Sequence, residues 1–137
     1  MQGQAVQSAS EYTEQVTDKV TVGLKVALNI LERWQCKPNH KQAILGMARS
    51  TLYKAQDNPA SARLSPDQLE RVSYILNIHQ ALRIVFCNPE NVYGFMQMTN
   101  HNPYFNGKTP LDLIATGNFG TLYEVFKRID TMRGGQW

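Results

Sequence analysis

PNHKQAILGMARSTLYKAQD, residues 38–57, is the stretch on which the fold turns. Pro38 breaks whatever precedes it, Asn39 is a good N-cap, and residues 40–45 form a short helix. Gly46 ends that helix, and Met47-Ala48 complete a tight turn. Another short helix runs through residues 49–56 and is closed by Asp57-Asn58-Pro59. Helix, glycine turn, helix is a helix-turn-helix layout, whose second helix enters the DNA major groove with its first turns facing base edges. Leu52 is expected to point into the core. That leaves Arg49, Ser50, Thr51, Tyr53 and Lys54 facing outward. Arg pairs bidentately with guanine, Ser and Thr contact bases or phosphates, and Lys suits phosphate. Lys41, near the start of the preceding helix, is expected to contact the DNA backbone.

Charge points to the same segment. The 137 residues carry 14 Lys and Arg against 11 Asp and Glu, a net charge of only +3. Residues 33–56 hold Arg33, Lys37, Lys41, Arg49 and Lys54 and no acid, so this segment alone is +5 and the remainder −2. A basic segment of this kind is the electrostatic footprint of a phosphate-bearing partner, although a basic run is also often just a solvated face.

Outward from this segment the chain stays helical. Before it, Val20, Leu24, Ala27, Leu28, Leu31 and Trp34 recur at three- and four-residue steps and form one apolar face. Residues 1–17, rich in Gln, Ser, Thr and Glu, read as a flexible arm. After it, Ser65-Pro66-Asp67-Gln68 is a strong start signal, with Ser as N-cap, Pro at the first helical position and Gln completing a capping box. Leu69, Val72, Ile75, Leu76, His79, Leu82 and Phe86 follow on one stripe. Asn88-Pro89 begins another helix, residues 100–108 form a loop, Thr109-Pro110 starts a short helix and Gly117 stops it. Leu122, Val125, Phe126, Ile129 and Met132 stripe a last helix. No segment alternates with a period of two. The chain reads as all-α with about seven helices. It divides into an arm (1–17), a helix-turn-helix lobe (18–60) and a C-terminal lobe (61–137).

Several classes are excluded or disfavoured. The longest apolar run, Ile84-Val85-Phe86-Cys87, falls far short of the roughly 20 residues a spanning helix needs. The N-terminus has no basic stretch followed by an apolar one, so no secretory signal is expected and a cytoplasmic location is. The two cysteines, Cys36 and Cys87, match no zinc or redox spacing and read as packing residues. His40, His79 and His101 are scattered, and His79, on an apolar stripe, reads as a packed or interface histidine. The acids lack metal-ligand spacing, and no Gly-rich phosphate loop occurs. Neither catalysis nor a cofactor is expected.

The wording LGMARSTLYKAQ resembles the recognition half of Xre-type and Cro-like helix-turn-helix domains. A longer stretch, LSPDQLERVSYILNIHQALRIVFCNPENVYGFMQMTNHNPYFNGKTPLDLIATGNFGTLYEVFKRI, resembles the toxin-binding domain of the Xre/MbcA/ParS antitoxin family. The matching positions are Leu64-Ser65, Arg71, Phe95, Asn102, Phe105, Gly107, the run Thr109-Pro110-Leu111-Asp112-Leu113, and Thr116-Gly117. Most of these also have plain structural readings as turn, cap, core and stop residues. Where the family often has a compact glycine turn, this chain has the bulkier Tyr104-Phe105-Asn106.

The resemblance implies an antitoxin. Such proteins neutralise a RES-domain toxin, an NAD-depleting enzyme, by blocking its active-site cleft with the C-terminal lobe. The complex represses its own operon through the N-terminal lobe bound to operator DNA. On the last helix, Tyr123, Lys127, Arg128, Thr131 and Arg133 form a second face, followed by the tail Gly134, Gly135, Gln136 and Trp137. These residues are the expected toxin contacts, with Trp137 as a buried anchor; the competing reading of Trp137 is a frayed terminus. The long helix from Ser65 is expected to offer one face to its own lobe and another to a second copy. That predicts a homodimer within a larger toxin–antitoxin complex. The alternative is a stand-alone helix-turn-helix transcriptional regulator whose C-terminal lobe only dimerises.

Overall fold

A computed structural model describes residues 8–134, apart from the side chain of Tyr12. Among the described residues there are seven α-helices and no strand: α1 (Ala9–Arg33), α2 (Pro38–Leu45), α3 (Arg49–Asp57), α4 (Pro66–Val85), α5 (Pro89–Gly94), α6 (Pro110–Ile114) and α7 (Phe119–Thr131). Short 3-10 turns follow α3, α5 and α7. The all-α architecture with an N-terminal helix-turn-helix is as the sequence predicts.

The start of α1 is a correction. The helix begins at Ala9, well inside the stretch read as a flexible arm. Its cause is local: Ser8 accepts from the Glu11 backbone N–H at 3.1 Å, and the Glu11 carboxylate accepts from the Ser8 N–H at 3.4 Å. This capping box offsets the missing apolar periodicity. Residues 1–7 of the expected arm lie outside the described residues. At α2 the cap also shifts. Lys37, not Asn39, holds the N-cap position, with Pro38 at the first helical position and no side-chain cap bond. Proline's fixed φ suits that position and moves the start two residues earlier.

Helix α4 is the centre of the molecule, packing against α1 on one side and α7 on another. Its start follows the sequence signal: Ser65 and Gln68 close a capping box. Val72, Ile75, Ile78, Ala81 and Leu82 are buried along it, and Arg71 is buried among them. Leu24, Leu31 and Trp34 of α1, Ile44 and Leu45 of α2, Leu52 of α3, Phe105 of the loop, and Leu122, Val125 and Ile129 of α7 join the same hydrophobic core. One continuous core therefore serves both lobes.

With α1 and α7 on it, α4 has no second apolar face. Its exposed positions are Pro66, Asp67, Glu70, Ser73, Asn77, Gln80, Arg83 and Ile84, all polar except Pro66 at its start and Ile84 at its end. The dimer face expected on α4 is accordingly not there. His79 stacks on Tyr93 of α5, ring centroids 5.3 Å apart. Burial, with help from nearby Arg83 and Arg33, lowers its pKa below the usual histidine value.

Candidate functional site

The candidate DNA face is built on α3. Leu52 and Ala55 are fully buried and fix the roll of the helix. Arg49, Ser50, Tyr53 and Lys54 are consequently exposed, and Thr51 is half-buried. The Arg49 guanidinium sits 5.4 Å from the Tyr53 ring, one turn along, where a cation–π contact holds it on the outer surface. Among the described residues neither Arg49 nor Lys54 makes an ion pair.

The turn before α3 is clamped from α4. Gly46 adopts φ +64°, the left-handed conformation that stops α2. The Gln68 side-chain amide donates to the Gly46 carbonyl at 3.0 Å, and a Cβ on Gly46 would lie 3.0 Å from Arg71 Nε. Both its φ and its surroundings thus demand glycine. Ser8, Ser65, Asn88, Thr109 and Asn118 cap the other helices through their side chains, whereas α2 and α3 begin without such a bond. Their first N–H groups are left for water or another acceptor.

The structure corrects one residue of the expected set. Lys41 is only 8% exposed. Its Nζ donates to Glu32 Oε2 of α1 at 2.6 Å and to Gln56 Oε1 of α3 at 3.4 Å. A buried ammonium must be paired, and this pairing ties three helices together instead of facing a phosphate. Nearby Cys36 is buried, which pushes its thiol pKa up to about 12. It is a packing residue, as its spacing implies.

In the C-terminal lobe, Arg71 is the residue that joins the halves. Its Nη1 donates to the Gly117 carbonyl at 3.0 Å, to the Ile44 carbonyl at 3.3 Å and to the Ala43 carbonyl at 3.4 Å, while Nε donates to Asp67 Oδ2 at 2.9 Å. One guanidinium thereby satisfies the C-terminal carbonyls of α2 and the stop of α6. Gly117, at φ +81°, is pressed against α2, and a Cβ there would lie 3.1 Å from the Ala43 carbonyl oxygen. The Thr109 hydroxyl accepts from the Asp112 N–H at 3.0 Å, and Pro110 is buried. The motif residues at these positions hold the fold and leave contact surface to others.

The contact residues expected from the sequence lie on the outer side of α7 and in the 3-10 turn that follows it. Tyr123, Lys127, Arg128, Thr131 and Arg133 are all exposed. Arg128 pairs with Glu124 at 3.0 Å and lies 4.7 Å over the Tyr104 ring, and Arg133 pairs with Asp130 at 3.4 Å. The Tyr123 ring meets Tyr74 edge-on at 5.9 Å, and the Lys127 ammonium lies 6.0 Å from the Tyr123 ring. Beside them opens a groove of about 410 Å³, walled by residues 102–105 on one side and by Glu124, Lys127, Arg128 and Thr131 on the other. Tyr104 at its edge has a raised pKa, chiefly through burial. This loop wall was missed by the sequence reading. Its signal was the bulky Tyr104-Phe105-Asn106 in place of a compact turn. Gly134 is exposed beyond α7, whereas Gly135, Gln136 and the expected anchor Trp137 lie outside the described residues. None of the helices described is long and apolar enough to cross a membrane.

Comparison with known proteins agrees with this layout. Residues 17–77 match the antitoxin Xre-like helix-turn-helix domain. Residues 81–135 match the antitoxin Xre/MbcA/ParS C-terminal toxin-binding domain. The two matches abut within α4. A relative described as uncharacterized protein y4oB, from Sinorhizobium fredii (strain NBRC 101917 / NGR234), is 32% identical over 118 residues, covering 85% of this chain and 88% of its own. These matches describe an antitoxin helix-turn-helix domain followed by a toxin-binding domain, and the chain belongs to the Xre/MbcA/ParS antitoxin family.

Proposed function

We propose that this antitoxin neutralises a RES-domain toxin, an NAD-depleting enzyme, by occluding its active-site cleft, and that the resulting complex represses its own operon. The observation that carries the reading is the presence of two separate, chemically distinct surfaces on one core. One is the outer face of α3, which presents Arg49, Ser50, Thr51, Tyr53 and Lys54 and carries no acid before Asp57. The other is the exposed side of α7, with Tyr123, Lys127, Arg128, Thr131 and Arg133, beside the Tyr104 groove. Arg49 and Lys54 supply charge for phosphates and guanine, and Ser50 and Thr51 supply small hydroxyls at the end of α3 that enters a groove. The uncapped N-terminus of α3 adds N–H donors in the same place.

On the toxin side, a cleft shaped for an anionic dinucleotide is lined with hydrogen-bond donors and cations. Aromatic rings and carbonyl or carboxylate oxygens near the end of α7 are suited to fill it. Residues 134–137 follow α7 in the sequence, and Trp137 is the proposed anchor. Occlusion needs an affinity that exceeds the cost of lost translational freedom. A homodimer, which doubles the DNA contacts, is part of the proposal.

The test is co-expression with a RES-domain toxin encoded beside this chain, with cellular NAD as the readout. Growth and NAD are expected to be preserved by the intact chain and lost when residues 134–137 are deleted. Preserved NAD with the deleted chain would remove the tail from the interface. No protection by the intact chain, together with retained operator binding, would favour a stand-alone regulator.

A further inference from the structure

The first part of α1 has no neighbour. Every described side chain from Ala9 to Lys19 is exposed. A helical stretch this short is marginal in water by itself, even with the Ser8 capping box. Farther along, the side of α1 turned away from Leu24, Ala27 and Leu31 carries Val22, 60% exposed, and Val26, 43% exposed. With Gly23 and Leu76 they line a shallow groove of about 450 Å³, edged by Asp18 and Lys19. Valines rimmed by charge on an otherwise polar helix mark an interaction surface.

The charges choose the occupant. Glu11, Glu14 and Asp18 come first along α1, and Lys19, Lys25 and Arg33 come after; Glu32 is already held by Lys41. Among the described residues, Glu14, Asp18, Lys19 and Lys25 make no ion pair. A second copy of α1 laid antiparallel and centred on Val22 complements this pattern. Val22 meets Val22, Asp18 falls beside Lys25 and level with Val26, and Glu11 falls level with Arg33. A parallel mate sets acid against acid. We infer that α1 is the homodimer interface, two copies packing antiparallel about Val22. This rests on the proposed homodimer and adds the surface that forms it.

A helix of 25 residues is about 37 Å long and about 11 Å wide, so the strip covers on the order of 400 Å² on each copy. The two copies together bury about 800 Å², below the roughly 1,200 Å² at which stable specific interfaces begin, so the dimer is weak and transient, with a dissociation constant expected to be micromolar or weaker.

Sedimentation of the full chain between about 1 and 100 µM tests the interface. Val22→Asp with Val26→Asp is expected to weaken the dimer at least tenfold. Because that double change could disturb folding, Asp18→Lys is the companion. It is expected to weaken the dimer about fivefold at low salt, since two symmetric pairs are lost, and Lys25→Asp added to it is expected to restore most of the loss. A dimer insensitive to the valine changes, or an unrestored charge swap, places the contact elsewhere and overturns the inference while leaving the homodimer standing. A wild-type chain that stays monomeric at about 100 µM overturns both, yet leaves toxin neutralisation to its own NAD readout. Protection of α1 from hydrogen exchange only when toxin is bound assigns the face to the toxin and likewise overturns the inference.

Discussion

Arg71 is the residue whose loss the fold should feel most. Its single guanidinium donates to three backbone carbonyls, those of Ala43, Ile44 and Gly117, and it is buried. Arg71→Ala is expected to cost about 2–4 kcal/mol, because unpaired buried carbonyls and a cavity are left together. Arg71→Lys should recover little, since an ammonium cannot span the same acceptors. Urea unfolding measures both. Two titrating groups give pH predictions of definite sign. The lowered pKa of His79 means the unfolded chain binds a proton more readily, so stability is lost as pH falls below about 6.5. A His79→Gln chain should lose this acid sensitivity in thermal unfolding across that window. Cys36 works in the opposite direction. With its thiol pushed up to about 12 from the ordinary 9.0, the unfolded chain ionises first and stability falls as pH rises above 9.0. In the native protein at neutral pH, a thiol reagent should modify exposed Cys87 and spare Cys36 until the chain unfolds. Lys41 shows why its role was not legible in the sequence. Its position in α2 is plain, but Glu32 and Gln56 become its partners only after three helices pack.

Among elements, α3 and α7 carry the proposed activities and α4 carries the fold. Arg49→Ala with Lys54→Ala is expected to leave helicity unchanged, because both side chains are exposed and, among the described residues, neither makes an ion pair. The double change should weaken operator binding by tenfold or more and reduce the salt dependence by about two contacts in a gel-shift series. Unchanged DNA affinity would remove α3 from the reading role. Ser65→Ala should cost about 1 kcal/mol, since it removes the capping box at the start of the central helix. The capped starts of α4, α5 and α6 are legible in residue order, because a cap is settled within four residues, whereas the Asn118 cap of α7 is not anticipated there. The capping box of α1 was equally local, but no apolar stripe follows it directly, so the helix was expected to start late. The dimer face expected on α4 is missing for a different reason. An apolar stripe tells that a helix is buried and not by what, and the buried residues of α4 pack against α1 and α7 of its own chain.

For the whole molecule, one core serving both lobes predicts one cooperative transition. A fragment ending near residue 62 lacks Val72, Ile75 and Ile78 of α4 and the Arg71 clasp, and should show little helix by circular dichroism, whereas the full chain unfolds in one step. Arg71 and Gly117 also fix the end of α2, before the α2–α3 turn, directly to the C-terminal lobe. The two surfaces therefore have a set geometry relative to each other. Residue order alone determined the helical class, the glycine turn at Gly46, the placing of basic charge on residues 33–56 and the motif run from Thr109 to Gly117. Each of these depends on neighbours within one or two turns of chain. Tertiary structure alone decided that Lys41 is an internal tie, that Arg71 joins two helix ends, that Tyr104 walls a groove against α7, and that the free valines lie on α1. Those outcomes depend on which surfaces meet, and burial and charge pairing between segments far apart in the chain are settled only when the core closes.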